Sequence, residues 1–470
     1  MDSITSRVLG LVTLLLLASC QTYQPKPLEP EAVLASVEQA RRSPDGDDAP
    51  AADRPAFTFP RAADLLARHG PALKEARAEY ETALALARVP TPLPNPTLEV
   101  GPQLGFGADV TRRRVQPFGS LGFTLPLGGR LGDQDAVNRL NAELARVELQ
   151  ARHREAYLDL RQLYAAWTLS HERLKIREEL AGAADTSLEM SRKLMAGGRL
   201  TALEVGLLEL EAARIRAGVL DARNDIAEQA GDLSLTVGVH ADHFLPLPSP
   251  ALPDIPATTP DLKALRDRLT ANHPELGRLR ARYEAAEGEL RLEIAKQYPD
   301  FTFGPSIANE TGEQKTVLGL TLGISLPIFD QNQQGIAVAS QRREAIRTRY
   351  EAAANRALAA LERAAPMLLV ASQKRDLVKG VLLPKARANL ELARKALGAG
   401  ATDALHVLEA ERSQRATLIE ALEAELAIWT AWVNLERVVG CPLFQLPGEK
   451  PADVPELTPV AVDAEAQDQE

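Results

Sequence analysis

At 470 residues the chain is long enough for several ordinary domains, but Ala, Leu, Glu and Arg dominate most of it, the composition of long helices and coiled coils. Aromatic residues make up only 4%, which argues against a large aromatic-filled core. The formal net charge of −10 speaks against nucleic acid as a partner, because phosphate binding needs a basic face.

The first 19 residues read as an export signal. Arg7 precedes an apolar run, Val8 to Ala18, that is too short to span a bilayer. It ends in Leu17-Ala18-Ser19-Cys20, which resembles the lipobox of bacterial lipoproteins, where cleavage leaves an acylated N-terminal cysteine. Gln21 follows the cysteine, and in such lipoproteins the absence of Asp there implies the outer membrane. Cys20 is therefore the expected lipidation site. With Cys20 acylated, Cys441 has no disulfide partner and reads as a small buried residue at a helix end. Residues 20–60, rich in Pro, Asp and Ala, read as an N-terminal tether, and residues 443–470 as a Pro-rich acidic tail. Beyond the signal no stretch of about 20 apolar residues occurs.

Between tether and tail the sequence says the same thing twice, as repeats 61–260 and 261–442. His69-Gly70-Pro71-Ala72-Leu73 is answered by Asn272-His273-Pro274-Glu275-Leu276, and Pro96-Thr97-Leu98 by Pro299-Asp300-Phe301. Leu125-Pro126-Leu127 is answered by Leu326-Pro327-Ile328, and the run from Gly198 to Val205 by Gly400 to Val407. Each repeat orders a helix, two strands, a very long helix, a glycine turn and a shorter helix. Strands are expected within residues 97–127 and 300–328. In the second pair Leu318, Leu320, Leu322, Ile324 and Leu326 alternate with Gly319, Thr321, Gly323 and Ser325. Leu121, Phe123 and Leu125 alternate in the same way with Ser120, Gly122 and Thr124, and Phe301, Phe303 and Ile307 with Thr302, Gly304 and Ser306. Period-two alternation with one fully apolar face is the pattern of a transmembrane barrel strand. Four strands cannot close a barrel, so three chains are expected to share one of twelve strands.

The long helices are expected from about Leu131 to Ala196, roughly 100 Å at 1.5 Å per residue, and from Gln333 to Leu397, with Pro366 and Pro384 as kinks. The shorter helices are expected to stack end to end, 203–238 on 262–297 and 402–440 on 61–89. The fold class is thus mainly α with a small β part, in two tandem repeats. A trimer would form a 12-stranded barrel above an α-helical tunnel.

With these features the chain resembles the TolC-like outer-membrane factors, the outer membrane efflux protein family, over roughly residues 61–442. The sharpest local match is Leu326-Pro-Ile-Phe-Asp330-Gln-Asn332-Gln-Gln-Gly335, which looks like a stretch found in members serving heavy-metal pumps of the RND type. Gln331 and Gln334 depart from that pattern. The resemblance implies a passive exit duct in the cell outer membrane, a lipid-anchored homotrimer extending into the periplasm. Its helical tips would dock to a periplasmic adaptor and an inner-membrane RND-type pump. The same residues also fit a duct for drug or protein export, a non-channel periplasmic coiled-coil lipoprotein, or an enzyme with a hidden site.

Two glycine turns, at 197–201 and 398–403, are the expected tips. Gly197, Gly198, Arg199, Thr201, Gly400, Thr402 and Asp403 are the candidate adaptor contacts, with Thr201 and Asp403 suited to cap the following helices. Related ducts constrict their mouth with acidic rings near this point, so His406, Glu409 and Glu204 are gate candidates, weighed against ordinary solvated helix residues. His240 and His243 lack a third metal ligand nearby, and no HExxH, GxSxG or Cys/His cluster occurs. No catalytic residue, metal site or cofactor is expected.

Overall fold

The computed structural model describes residues 23–44, 57–104, 115–198, 200–244, 255, 261–310, 315–399, 401–402 and 404–446. Two units are distinguished, residues 1–48 and 49–470. In the first, helix α1 (Pro30–Arg42) begins on a proline and carries the i,i+4 ion pair Arg42–Glu38 at 2.6 Å.

The second unit contains the two repeats. The first holds α2 (Phe59–His69), α3 (Pro71–Arg88), β1 (Thr97–Leu104), β2 (Val115–Pro126), α4 (Arg130–Ala196) and α5 (Ala202–Val237). The second holds α6 (Leu262–Asn272), α7 (Pro274–Ala295), β3 (Asp300–Glu310), β4 (Lys315–Ile324), α8 (Gln333–Leu377), α9 (Leu383–Gly398) and α10 (Ala404–Val439). The two helices expected to precede the strands are each broken once, at Gly70–Pro71 and His273–Pro274. A proline disfavours helical backbone in the residue before it, and Gly70 and His273 both take ψ 119°.

The four strands form one antiparallel sheet in the order β1-β2-β3-β4. Its register sets Leu98 opposite Leu121, Phe123 opposite Phe303, and Phe303 opposite Leu322. Opposed residues share a face, so the alternation read along each strand adds up across the sheet. Leu98, Val100, Leu318, Leu320, Leu322 and Ile324 are all exposed on that apolar face. The other face carries Thr97, Ser120, Thr302 and Thr321, with glycines between them.

Helix α4 spans 67 residues, about 100 Å of continuous helix. It packs against α3, α5 and α7, while α8 packs against α7 and α10. Here the stacking corrects the sequence expectation. Gly238, just past α5, has φ +83° and lies so close to the His69 carbonyl and the Pro71 ring that a Cβ would collide with both. Gly440, just past α10, has φ +85° and abuts Asn272 and His273 in the same way. The end of α5 therefore meets the start of α3, and the end of α10 meets the start of α7. The stacks are α5 on α3 and α10 on α7, not the pairing inferred from lengths. Each junction needs a left-handed residue without a side chain, because the preceding helix must stop where the next carbonyl already sits.

The second long helix is interrupted where the first is not. Residues Val378–Leu382 form one π-helical turn between α8 and α9. Pro126 and Pro327, at the ends of the strands, are 201 residues apart, whereas Gly238 and Gly440 are 202 apart. The helical stretch from Gln333 to Gly398 is one residue shorter than α4, while six steps lead from Pro327 to Gln333 against four from Pro126 to Arg130, so the extra residue falls at the joint and not at the π turn. Proline alone does not account for it, since Pro366 sits inside α8 with no such turn.

The main core lies where the short helices meet. Phe57, Phe59, Tyr164, Trp167, Phe244, Leu361, Leu368, Trp429 and Trp432 form one cluster there. Arg161 and Glu436 are fully buried within it, with Nε to Oε2 at 3.0 Å. The Arg161 guanidinium lies 4.8 Å from the Phe444 ring and donates to the Phe444 carbonyl at 3.2 Å, and Leu443 N–H donates to Glu436 at 2.8 Å. Residues 443–446, assigned by composition to the tail, are therefore anchored in the core.

Candidate functional site: sheet, joint and tips

The motif that carried the sharpest resemblance is a joint between strand β4 and helix α8. Asp330 accepts from Asn332 N–H at 2.9 Å, and Asn332 adopts the left-handed conformation, φ 57°. Its side-chain amide donates to the Glu293 carbonyl at 2.8 Å and to the Glu293 carboxylate at 2.6 Å. The hydrogen bond from Asn332, then that from Lys296, holds the Glu293 carboxyl below its usual range. A side chain at Gly335 would collide with Asn332 and Glu293. Asp330, Asn332 and Gly335 thus fix the angle between sheet and helices. The first repeat joins differently, with Arg130 paired to Asp300 at 2.9 Å and the Tyr298 ring packed over Gly128, φ +73°.

At the first tip α4 ends with Gly197 N–H donating to Lys193 and Gly198 N–H to Met195, and Gly198 takes φ +69°. Thr201 caps α5 in a reciprocal box: Thr201 N–H donates to Glu204 at 2.7 Å, and Glu204 N–H to Thr201 Oγ1 at 3.3 Å. The carboxylate of Glu204, a gate candidate from the sequence, takes part in this cap. At the second tip Ala399 N–H donates to Lys395 and Ala401 N–H to Ala396, and Thr402 follows. Arg199, Gly400 and Asp403 lie outside the described residues, as does Cys20. His406 and Glu409 are exposed on the first turns of α10, three residues apart and so on one side of the helix.

Charged contacts near the tips, missed by the sequence reading, repeat with the fold. Arg192–Glu209 at 2.7 Å spans the first hairpin and Arg394–Glu411 at 3.0 Å the second. Between hairpins, Glu211 of α5 accepts from Arg412 and Arg415 of α10, each at 2.9 Å. Burial pushes the Glu211 carboxyl up, but the Arg412 hydrogen bond and the nearby arginine charges outweigh it and hold the group below its usual range.

Among the described residues no three His, Cys, Asp or Glu side chains gather to hold a metal, and no helix is long and apolar enough to cross a membrane. The displayed features are an exposed apolar sheet face and two helical hairpins, in a mainly α protein with one small antiparallel sheet.

The comparisons narrow that class. Residues 265–441 match the model of the outer membrane efflux protein family. The cobalt-zinc-cadmium resistance protein CzcC of Cupriavidus metallidurans is 22% identical over 77% of this chain and 84% of its own length. The outer membrane protein VceC of Vibrio cholerae aligns with TM-score 0.67 at 17% identity, covering 82% of this chain and 97% of that one. CusC, in structures describing transmembrane channel formation, aligns with TM-score 0.66 at 18% identity, covering 82% of this chain and 92% of its own. Over residues 265–441, and in fold over most of its length, the chain is similar to the outer membrane efflux proteins. Its relatives are channel proteins of efflux systems, not enzymes.

Proposed function

We propose that three copies of the chain assemble into a lipid-anchored exit duct, in which the sheets close one barrel in the outer membrane and the helices enclose a tunnel into the periplasm. The observation that carries this reading is the sheet. Its apolar face is exposed in a single copy, and β1 and β4 are its edges. An open edge cannot sit in hydrocarbon, so edge must meet edge in a neighbouring copy. Cys20 carries the lipid in this reading. The tips around Gly197, Gly198, Arg199, Thr201, Gly400, Thr402 and Asp403 dock to a periplasmic adaptor, which couples the duct to an inner-membrane RND-type pump. The cargo class is heavy-metal cations, supported by the name of CzcC and by the Asp330–Gly335 joint.

In the trimer, His406 and Glu409 ring the tunnel mouth. Three carboxylates held around one axis repel one another and favour a bound cation. Native mass spectrometry of detergent-solubilised protein should give three subunits. In planar bilayers the trimer should conduct weakly and less on adding divalent cation, whereas His406→Ala with Glu409→Ala should conduct more and lose that dependence. A monomer that inserts and conducts overturns the duct. A double variant matching the parent under both conditions removes the gate from these residues.

A further inference from the structure

We propose that the acidic tail, residues 447–470, folds back onto an arginine-lined cleft between α4, α6 and α7 of its own chain, with Glu449, Asp453 and Glu456 as the contacting carboxylates. The cleft, about 170 Å³, is walled by Arg146, Gln150 and Arg154 of α4 and by Arg280 of α7, with Asn272 and His273 at its end. Its carboxylates are Glu143, already paired with Arg146, and the exposed Glu284. Arg154 donates to the Asn272 carbonyl at 2.9 Å, and among the described residues neither Arg154 nor Arg280 has a carboxylate partner. His273 Nδ1 is buried beside them with no hydrogen-bond partner among the described residues. A cleft holding more cations than anions attracts carboxylates, and each guanidinium offers one of them two parallel donors. Arg280 also walls the adjoining α7–α8 cleft with Tyr283 and Tyr350, whose rings give a proline-containing peptide an apolar seat.

The tail starts beside this cleft. Gly440 abuts Asn272 and His273, two of the wall residues. Burial pushes the Cys441 thiol up, while the charges of Arg268 and Arg154 pull it down, so both arginines lie close to the chain as it leaves α10. The Phe444 carbonyl then accepts from Arg161, which stands two helical turns from Arg154 on the same face of α4. Two turns are about 10 Å, a distance that about three extended residues span. Glu449 comes three residues after the buried Leu446, and Asp453 and Glu456 follow closely. Beyond Leu446 the chain holds seven Asp or Glu residues and one lysine, more than half of its net charge of −10. Prolines at 447, 451, 455 and 459 restrict the free segment, so ordering it on the cleft costs less entropy. Because the tail is tethered, its local concentration is of millimolar order and weak contacts suffice. A free anion has no such advantage.

The test places an amine in the cleft. Full-length Arg280→Lys, purified in detergent, would be treated with a carbodiimide that joins amines to carboxylates without a spacer, and the coupled peptides identified by mass spectrometry. The amine at position 280 should couple to Glu449, Asp453 or Glu456. The yield should fall several-fold on raising salt from about 0.05 to about 0.5 M, because the attraction is between charges near the surface. Glu284, one turn along α7, should couple at both salt concentrations and shows that the amine is reactive. Arg268→Lys serves as a second amine should Arg280→Lys fold poorly. Mixing isotopically heavy and light protein separates coupling within one chain from coupling between copies. Coupling to Glu284 alone, or to carboxylates outside the tail, overturns the docking. Coupling only between copies overturns docking on the same chain, and a yield indifferent to salt overturns its electrostatic basis. If neither amine couples to the tail, the cleft is filled by something else and the proposal falls.

Discussion

In the first repeat the long helix runs unbroken from Arg130 to Ala196, whereas in the second a π turn at Val378–Leu382 separates α8 from α9. At the joint with the sheet the first repeat uses an Arg130–Asp300 ion pair and a ring over glycine, and the second an Asx turn and a left-handed asparagine. Where the short helices stop, Ser234 donates to the Val239 carbonyl at 2.6 Å in the first repeat, while its counterpart Glu436 joins Arg161 in the second. Backbone positions are common to both repeats: the positive-φ glycines at 238 and 440 and the X-Pro breaks at 70–71 and 273–274. Side chains that satisfy the same backbone need have diverged. Geometry constrains such a repeat more tightly than chemistry does.

The largest expected effect comes from moving one residue. A π turn holds one residue more than a regular α turn, so deleting Gly380 should let α8 and α9 fuse into one helix with both flanks in phase. Deleting Gly182 from the interior of α4, where no π turn exists, rotates everything beyond it by about 100°. Arg192 then no longer faces Glu209. The Gly380 deletion should stay folded with a small shift of its thermal midpoint, and the Gly182 deletion should lose a large share of stability. Comparable losses from the two would mean that the π turn is held by its surroundings, Pro384 among them, and cannot relax to a regular helix.

Next in size is the buried pair. Removing one partner of a buried ion pair leaves an uncompensated charge, so Arg161→Ala should cost about 3–5 kcal/mol in urea unfolding of the detergent-solubilised protein. The repeat-related Ser234→Ala removes the neutral hydrogen bond to the Val239 carbonyl and should cost about 1 kcal/mol. Equal costs would show that the two repeats close their helix ends with the same strength.

Much of this was legible in the sequence. Period-two alternation located β2, β3 and β4, because a sheet with one apolar face must repeat every second residue, and the repeat correspondence at Pro96-Thr97-Leu98 located β1. The long helices were equally clear. The stacking order was not, because helix lengths match in either pairing and the deciding contact is Gly238 against His69 in three dimensions. Arg161 and Glu436 look like any solvated helix charges until the fold buries them together. Phe444 was hidden by the Pro-rich acidic stretch that follows it. The role of Glu204, by contrast, could have been read: Thr201-x-x-Glu204 before an apolar run is a capping box.

The smallest effects lie at the tips, where a comparison within the hairpins and one between them can be separated. Arg192–Glu209 and Arg394–Glu411 are exposed pairs, so double-mutant cycles should give about 0.2–1 kcal/mol for each, similar in the two repeats and weakened by salt. Glu211 differs, because two arginines of the other repeat converge on it. Its carboxyl titrates below the ordinary range in the folded protein, so its contribution is present above the unfolded pKa and lost as pH falls through the folded value. The α5–α10 link should therefore loosen on acidification below the normal carboxylate range, seen as faster amide exchange in the first turns of α5 and α10. Glu211→Gln should exchange faster at neutral pH and show less further change on acidification. An acid response that persists undiminished in Glu211→Gln would place the titrating group elsewhere and leave the two hairpins tied by packing alone.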